Sequence, residues 1–441
     1  MTYDFAVIGG GWAGLLSANE LKNKYPNSKI IVLEASMEHK LGGLLHSEKV
    51  NGLTFDTGGP HILFSRNKEI LEKNLSYLGN NVYSKQRKGA IFFENAFIDY
   101  PFENGIFSLE PERRVNIAIG IINCLLRLKS DPGWTPSNFY EWIYGFFGEE
   151  MGKTYLEPYN QKIWKRDLKK IDADWVFAPG RLPFPNLEDL VRAVAGIETT
   201  GYKEQAIFSY PKVGGIQAMF DSLLGIVKLK GIEYVSGTPV SIIKSLNTGF
   251  LINDSIECKK IVNTIALPEF LGFLGLDEIL QRFGKMFDYN SVVVVGVGFE
   301  GNGDDQHAVY VPEANINFHR YTWMSNLTTD TPRGKSNLIA ETTVPFGKEL
   351  DPEKIVESTI EGLESIGILN GKRKVIFKKA WINRYGYPIY VKDHSKMRNE
   401  LMESLHEMGI LSVGRWGSWQ YWNTDKVHEA VLTEMDLAGN I

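Results

Sequence analysis

A glycine-rich turn between an apparent strand and helix, close to the N-terminus, constrains the fold more than any other feature. Residues 5–8 are apolar, as in a buried parallel strand, and Gly9, Gly11 and Gly14 follow with the spacing G-x-G-x-x-G. Apolar residues then recur at helical spacing, and "KIIVLE" reads as a second buried strand that ends in Glu34. This is the strand–helix–strand unit that binds a dinucleotide.

Each glycine of the motif has its own predicted role. Gly9 permits the tight turn, Gly11 lets the backbone approach a pyrophosphate, and Gly14 allows the helix to pack closely on the strand. The amide groups at the helix N-terminus would face the phosphates. Glu34 lies twenty residues after Gly14, where a carboxylate can accept a hydrogen bond from a ribose hydroxyl.

A second G-x-G-x-x-G, formed by Gly296, Gly298 and Gly301, is predicted to have no such role. It follows the apolar run "VVVV", but "NGDDQHAVYVP" comes next and reads as a turn and another strand. Without a helix there is no row of amides to bind phosphate. We therefore predict a strand and hairpin here, and no second dinucleotide site.

Composition excludes several classes of protein. The 441 residues carry a formal net charge of −5, which argues against a nucleic-acid binder. The two cysteines, Cys124 and Cys258, show neither metal-ligand spacing nor a disulfide framework, so no metal site is expected. No apolar run is long enough to span a bilayer, and no signal peptide is apparent. We expect a cytoplasmic protein.

The residues that follow Glu34 favour FAD over NAD. Gly42 and Gly43 lie in a loop, a hairpin is predicted around Asn51-Gly52, and "TGGPHILF" follows. This arrangement resembles the FAD-binding group that includes amine oxidases, protoporphyrinogen oxidases and UDP-galactopyranose mutases. In that group the Gly-Gly pair lies along the pyrophosphate. Lys40 stands where the family pattern often has an arginine.

Further stretches, in the order of the family, resemble eukaryotic-type UDP-galactopyranose mutase. They are "GGPHILFS", "YPFENGI", "EPYNQKIW", "YPKVGG", "VYVPEANINFHRYTWMSN", "YGYPIY" and "GRWGSWQY". The last is the most specific, since few flavoproteins combine these residues.

The resemblance implies an α/β fold with a Rossmann-type FAD-binding domain, a helical insertion domain and an antiparallel β-sheet domain. The FAD-binding domain is expected in three segments, 1–85, 209–285 and 401–441. Residues 86–103 are expected to add strands to the sheet domain of residues 286–400, where short strands predominate in the sequence pattern. Residues 104–195 would form a helical substrate or lid domain.

The resemblance also implies a set of site residues. The predicted catalytic residues are Arg181, Arg320 and His61. The predicted substrate-binding residues are Tyr100, Glu103, Asn160, Trp164, Gln205, Tyr310, Tyr387 and Tyr421. The predicted FAD-binding residues are Gly9, Gly11, Trp12, Ala13, Gly14, Glu34, Ala35, Gly42, Gly43, Gly59, Pro60, His61, Val240, Gly414, Arg415, Asp425 and Lys426.

For some of these residues, physical arguments that do not depend on the resemblance also favour or oppose a role in the site. A guanidinium group matches phosphate oxygens and keeps its charge, which suits Arg181 and Arg320 to a diphosphate. Arg320 lies in an otherwise apolar stretch, where an unpaired charge is costly, so a bound anion is expected there. Taken alone, Arg181 is more typical of a surface salt bridge and His61 of a loop histidine. Trp416 and Trp419 are expected to pack in the core.

Two positions depart from the family pattern. Glu103 stands where the family has glutamine, and Gln205 where it has asparagine. Both positions lie near the nucleotide in the family, so the base and the sugar of the substrate stay open.

The leading functional hypothesis is a mutase that interconverts pyranose and furanose forms of a nucleoside-diphosphate sugar. In the family, reduced FAD is required, its N5 acts as nucleophile, and the product enters cell-surface polysaccharides. An external electron donor would reduce the FAD, and a homo-oligomer is left open. The alternatives are an amine or porphyrinogen oxidase of the same fold, and a non-catalytic flavin-binding protein.

Overall fold

The computed structural model describes residues 2–177, 186–199, 206–371 and 373–438. The strands, in chain order, are β1 (Thr2–Ile8), β2 (Ile30–Leu33), β3 (Ser47–Val50), β4 (Leu53–Asp56), β5 (Val82–Gln86), β6 (Gly89–Phe93), β7 (Ala96–Asp99), β8 (Ile207–Pro211), β9 (Glu233–Val235), β10 (Ile243–Leu246), β11 (Gly249–Ile252), β12 (Ile256–Asn263), β13 (Tyr289–Glu300), β14 (Ala308–Tyr310), β15 (Arg320–Trp323), β16 (Lys335–Pro345), β17 (Lys374–Pro388) and β18 (Ile410–Ser412).

The helices, in chain order, are α1 (Trp12–Lys24), α2 (Lys68–Ser76), α3 (Phe102–Gly105), α4 (Pro111–Ser130), α5 (Phe139–Met151), α6 (Glu157–Trp164), α7 (Leu187–Val194), α8 (Gln217–Leu229), α9 (Leu267–Phe273), α10 (Asp277–Phe283), α11 (Pro352–Ser365), α12 (His394–Glu407), α13 (Gly414–Gly417) and α14 (Thr424–Leu437). A π-helical stretch, Gly152–Leu156, joins α5 to α6.

The first large sheet is the predicted Rossmann-type sheet. Its order is β10-β11-β12-β1-β2-β9, and β18 pairs with the second half of β12. The pairs β12–β1, β1–β2, β2–β9 and β12–β18 are parallel, whereas β10 and β11 form an antiparallel edge. Because β9 to β12 and β18 come from late in the chain, distant segments complete this sheet.

Helix α1 packs one apolar side into the core, as the helical spacing predicts. Leu15, Leu16, Ala18 and Leu21 are fully buried. The strands on either side of α1 supply apolar partners, since residues 5–8 of β1 and every residue of β2 are apolar and buried. This packing fixes the N-terminus of α1 at the carboxyl end of β1, where ligands bind in open α/β sheets.

The second large sheet has the order β17-β13-β16-β15-β14-β6-β7. It is antiparallel except for the pair β14–β6, and it includes β6 and β7, which lie within residues 86–103. The prediction of short strands over residues 289–390 is wrong for three of them, because β13, β16 and β17 have 12, 11 and 15 residues. Local patterns missed this length because these strands continue past the apolar runs by which the sequence marks a strand.

The second G-x-G-x-x-G lies in β13 and the turn after it, and no helix follows before β14. The predicted strand is therefore confirmed. The predicted hairpin is wrong, because β13 pairs with β16 and β17, whereas β14 pairs with β15 and β6. A Cβ at Gly296 would lie 2.5 Å from the Trp381 ring, and one at Gly298 would lie 2.7 Å from Leu53. These two glycines make room for neighbouring side chains rather than for phosphate.

The region between the two parts of the Rossmann-type sheet is mostly helical, as predicted. Helices α4, α5 and α7 pack together, and Phe139 and Trp142 of α5 are fully buried and stacked with ring centroids 5.7 Å apart. Arg181 and Gln205, predicted as site residues, lie outside the described residues. None of the described helices combines the length and the apolar character needed to cross a bilayer.

Candidate active site

The glycine turn has the geometry that a pyrophosphate needs. Gly9 has a φ of +95°, which a residue with a side chain rarely adopts. A Cβ at Gly14 would lie 1.9 Å from the carbonyl oxygen of Gly9, so α1 packs against the turn only because Gly14 has none. In contrast, a Cβ at Gly11 would meet no atom within 4 Å. Gly11 thus faces open space at the start of α1.

A second pair of glycines lies across that space. Gly42 and Gly43 have φ values of +120° and +57°. The nearest atom to a Cβ at Gly43 would be the Cα of Gly11, at 3.9 Å. Two turns that are remote in sequence therefore present bare backbone to one cavity, which is a cradle that side chains would fill.

Glu34 directly follows β2 and lies beside the glycine turn. Its Oε2 accepts a hydrogen bond of 2.7 Å from the Gly10 amide, and its Oε1 accepts one of 2.7 Å from the Ser36 amide. The carboxylate is thereby oriented at the cavity wall, while Ala35 is exposed next to it.

These groups line a cavity of about 1140 Å³, which we call the cofactor cavity. Its volume exceeds the usual range for drug-sized ligands, roughly 300–1,000 Å³, as a dinucleotide cofactor requires. The predicted cofactor residues that line it are Gly9, Gly11, Trp12, Ala13, Glu34, Gly42, Gly43, His61 and Arg415.

The C-terminal segment forms the opposite wall of the cofactor cavity. The Arg415 guanidinium donates hydrogen bonds to the carbonyl oxygens of Trp422, at 2.9 Å, and Gly386, at 2.7 Å. It lies 4.5 Å from the centroid of the Tyr421 ring. Asn423 and Thr424, where α14 begins, also line the cavity, so the positive end of this helix faces it.

Other predicted cofactor residues do not reach that cavity. Gly414 packs against α1, where a Cβ would lie 2.6 Å from the Cβ of Ala13. Val240 is buried in the core. Asp425 accepts a hydrogen bond of 2.7 Å from the Ser65 hydroxyl, and Lys426 pairs with Glu429.

The predicted packing role of the two tryptophans holds for one of them. Trp419 is fully buried, with its ring centroid 5.1 Å from that of Trp416. Trp416 itself is only partly buried and also lines the cofactor cavity.

His61 stands between the cofactor cavity and a smaller one. Its Nε2 is buried and has no hydrogen-bond partner. Burial, together with the positive charges of Arg415 and Arg320, lowers the pKa of His61 to about 3. The ring is therefore neutral near pH 7, and its Nε2 is available to a ligand.

The smaller cavity has a volume of about 210 Å³, and we call it the arginine cavity. Arg87, Arg320 and Arg415 line it, and Glu341 is the one carboxylate among its described lining residues. It shares His61 and Arg415 with the cofactor cavity. Gly59 and Pro60, two further predicted cofactor residues, also line it. The charges favour an anion here.

Arg320 is not the unpaired charge that the sequence suggested. Its Nε and Nη2 each donate a hydrogen bond of 2.8 Å to the two carboxylate oxygens of Glu341, which is 2% exposed. Arg320 and Glu341 stand directly opposite each other on β15 and β16. The prediction failed because it considered the charge of one strand without its neighbour.

Arg87 reinforces the positive charge. Its Nη2 donates a hydrogen bond of 2.6 Å to the Tyr310 hydroxyl. Burial alone would raise the pKa of Tyr310, but Arg87 and Arg320 outweigh it and lower that pKa. The two guanidinium groups thus act on one hydroxyl at the cavity wall.

A third cavity, of about 180 Å³, adjoins the arginine cavity through Arg320 and several tyrosines. We call it the aromatic cavity, because Tyr155, Tyr159 and Trp175 add to the predicted rings in its wall. It brings together all the predicted substrate-binding residues that are described: Tyr100, Glu103, Asn160, Trp164, Tyr310, Tyr387 and Tyr421. The ring centroids of Tyr100 and Tyr310 are 4.5 Å apart.

Sequence reasoning missed Arg87, Glu341 and His319 in these walls. A signal for Glu341 was available, since "FHRYTWM" and "NLIAETTV" are both strand-like and each carries one charge of opposite sign. No local signal marks Arg87, which lies at the end of β5 and reaches the site only through the fold.

Comparisons with known proteins agree with this geometry. A family model of the NAD(P)-binding Rossmann-like domain matches residues 7–78. Coproporphyrinogen III oxidase from Staphylococcus aureus is 24% identical over 364 residues, which are 76% of this chain and 77% of that protein.

Two solved structures share the fold over the whole chain. The crystal structure of reduced UDP-galactopyranose mutase has a TM-score of 0.88 at 22% identity, and covers 100% of this chain and 94% of that one. A candidate protoporphyrinogen oxidase from Exiguobacterium sp. 255-15 has a TM-score of 0.75 at 16% identity, with coverage of 100% and 99%. The chain therefore has the α/β fold of FAD-binding flavoproteins, and the findings support FAD as its cofactor, as predicted.

Proposed function

We propose that this protein is an FAD-dependent mutase that interconverts the pyranose and furanose forms of a nucleoside-diphosphate sugar. The observation that carries the proposal is the arginine cavity, which lies between the cofactor cavity and the aromatic cavity and shares residues with both. A diphosphate held there would place a sugar toward the cofactor and a nucleoside toward the aromatic rings.

The charges support a diphosphate in particular. Three guanidinium groups face one carboxylate, so the described walls keep an excess of positive charge. Guanidinium groups keep their charge at every physiological pH and match phosphate oxygens in geometry. The hydroxyls of Tyr310 and Tyr387 lie in the same wall and can donate to the same oxygens. By resemblance, Arg181 would add a further guanidinium.

The residues of the cofactor cavity would hold FAD through known kinds of contact. Gly11 and Gly43 offer close backbone approach to a pyrophosphate, and Glu34 can accept from a ribose hydroxyl. FAD, when bound and reduced, supplies an electron-rich ring system for reaction at the sugar. The chain's own share is to hold the diphosphate close enough to recombine and to keep His61 neutral beside the cofactor.

The direct test is an assay of the reduced protein. The protein is purified with FAD, reduced with dithionite without oxygen, and incubated with UDP-galactose and a panel of other nucleoside-diphosphate sugars. Chromatography should detect a furanose product from at least one of them. Saturated, reduced FAD without turnover of any nucleotide sugar would contradict the proposal. The variants Arg320→Lys and Arg181→Lys should lower turnover without loss of bound FAD.

A second candidate is an oxidase of porphyrinogens or amines, favoured by the similarity to coproporphyrinogen III oxidase. Arginines can also bind the carboxylates of a porphyrinogen. Oxygen consumption on coproporphyrinogen or on amines, without binding of any nucleoside diphosphate, would favour this candidate.

A further inference from the structure

Glu103 is a buried acid in the wall of the aromatic cavity. It belongs to α3, is 6% exposed, and its Oε1 has no hydrogen-bond partner. Buried polar atoms without partners are rare in folded proteins, because each loses its hydrogen bonds to water. One that lines a cavity is expected to meet a ligand.

The surroundings of Glu103 favour its uncharged form. Burial raises the pKa of this carboxyl group to about 7, and only a backbone hydrogen bond opposes the shift. The titratable groups that interact with it among the described residues are Tyr100 and Tyr155, and burial raises the pKa of both. Among the described residues that line the aromatic cavity, Arg320 is the one arginine or lysine, and it is already paired with Glu341.

The same cavity contains a second polar atom of this kind. Nδ1 of His319 has no hydrogen-bond partner, and the residue is 3% exposed. Burial and the neighbouring Arg320 hold the pKa of His319 well below its usual range, so its ring is also neutral. The aromatic cavity therefore combines flat apolar walls with uncharged hydrogen-bonding groups.

We propose that Glu103 determines which ring the aromatic cavity accepts, as an uncharged carboxyl group that donates one hydrogen bond and accepts another. The ligand group that matches it is a flat heterocycle with a hydrogen-bond donor and acceptor side by side on one edge, as nucleobases have. This inference rests on the proposed function, because it assigns the base end of the nucleoside diphosphate to this cavity.

A change of charge state would break the match. An ionised Glu103 has two acceptor oxygens and no donor, so it would face the acceptor of the ligand edge without a hydrogen bond. It would also be a buried charge that the ligand shields from water. Ligand binding should therefore require the proton on Glu103 and weaken as pH rises.

The experiment measures binding of UDP-galactose to the FAD-loaded protein at pH 6, 7 and 8 by calorimetry. This probe is suitable because, over that range, its pyrophosphate diester stays fully ionised and its uracil ring stays neutral. In the wild type, the dissociation constant should rise about tenfold per pH unit above pH 7. In Glu103→Gln, which keeps one donor and one acceptor at every pH, the dissociation constant should stay nearly constant.

Glu103→Ala supplies the third arm. It removes both hydrogen bonds, so its affinity should be lower than that of the wild type by about tenfold at pH 6 and should not depend on pH. The FAD content and melting temperature of each variant show that the fold is intact.

The outcomes separate the two proposals. If wild type and Glu103→Gln bind UDP-galactose with the same pH profile, Glu103 does not form the proposed hydrogen bonds to the base. The inference is then overturned, while the proposed function stands. If UDP-galactose and the other nucleotide sugars fail to bind at any pH, both are overturned.

Discussion

The Arg320 guanidinium and the Glu341 carboxylate form two parallel hydrogen bonds of 2.8 Å in the wall of the arginine cavity. The two residues face each other on neighbouring strands. Glu341 is almost fully buried, and its two hydrogen bonds with Arg320 fix the plane of the guanidinium. The pair therefore orients Arg320 for a ligand before one binds.

Replacement of Arg320 by lysine should weaken anion binding at this site. Lysine keeps the charge but cannot form two parallel bonds to Glu341, so the cation is no longer held in place. We expect the dissociation constant for UDP to rise about 10- to 100-fold, and the free energy of unfolding to fall by about 1–3 kcal/mol. Calorimetry and urea denaturation measure the two effects.

Arg113→Lys is a matched control for this substitution. Arg113 also donates to both oxygens of a glutamate, Glu94, at 2.9 Å, but the pair lies at the surface. This variant should bind UDP like the wild type and lose at most about 1 kcal/mol of stability. Unchanged UDP affinity in Arg320→Lys would mean that Arg320 does not contact the ligand.

The two glycines Gly11 and Gly14 should respond in opposite ways to the same substitution. Gly11→Ala places a methyl group in the cofactor cavity without meeting any atom of the chain within 4 Å. The variant should fold normally, yet bind FAD at least about tenfold more weakly because the backbone can no longer approach the pyrophosphate. FAD content after dialysis and the melting temperature of the apoprotein measure this.

Gly14→Ala, in contrast, should damage the fold itself. Its Cβ would lie 1.9 Å from the Gly9 carbonyl oxygen, which is backbone and cannot rotate away. We expect a loss of roughly 1–3 kcal/mol or more in unfolding free energy even without FAD. If Gly11→Ala also destabilised the apoprotein by this amount, the assignment of Gly11 to cofactor binding would fail.

What the sequence could predict follows from how local each feature is. Three features depend on residues close together in sequence: the glycine turn, the position of Glu34 at the end of β2 and the buried side of α1. The structure has each of them at the predicted place. The aromatic cavity was assembled from several parts of the chain, and only the family resemblance made its residues predictable. The Arg320–Glu341 pair requires the register of two strands, and the position of Arg87 requires that the β5–β8 pair lie beside β14 of the second large sheet. Neither can be obtained from spacing alone.

Gly298→Ala tests the interpretation that the second glycine motif serves packing. A Cβ at this position would lie 2.7 Å from the side chain of Leu53, which is fully buried, and 3.3 Å from the Cβ of Phe377. The free energy of unfolding should fall by about 1–3 kcal/mol, while FAD affinity stays unchanged. Thermal unfolding and FAD titration distinguish the two effects.

Gly225→Ala is the control for the previous variant. Gly225 lies inside α8, and a Cβ there would meet no atom within 4 Å. Because alanine favours the helix over glycine, stability should rise by about 0.5–1 kcal/mol. Loss of FAD binding in Gly298→Ala with normal stability would instead indicate a second ligand site at β13.

A pH-dependent effect is expected at Asp56, which is fully buried at the end of β4. The Tyr210 hydroxyl donates to Asp56 Oδ2 at 2.5 Å, and the Ser47 hydroxyl donates to Oδ1 at 2.7 Å. Burial raises the pKa of Asp56 to about 6, although these donors oppose the shift. The folded state therefore binds this proton more tightly than the unfolded state, and the contribution of Asp56 to stability falls as pH rises from about 4 to 6.

Tyr210→Phe should increase that dependence. Above pH 6 the phenol stabilises an ionised carboxylate, so its loss should cost about 1.5–3 kcal/mol at pH 8, but only about 1 kcal/mol at pH 5, where Asp56 is mostly protonated. Urea denaturation at the two pH values measures the difference. In an Asp56→Asn background, the cost of Tyr210→Phe should be the same at both pH values, because the carboxyl group that titrates is gone. An equal cost in the wild-type background would show that Asp56 does not ionise in this range.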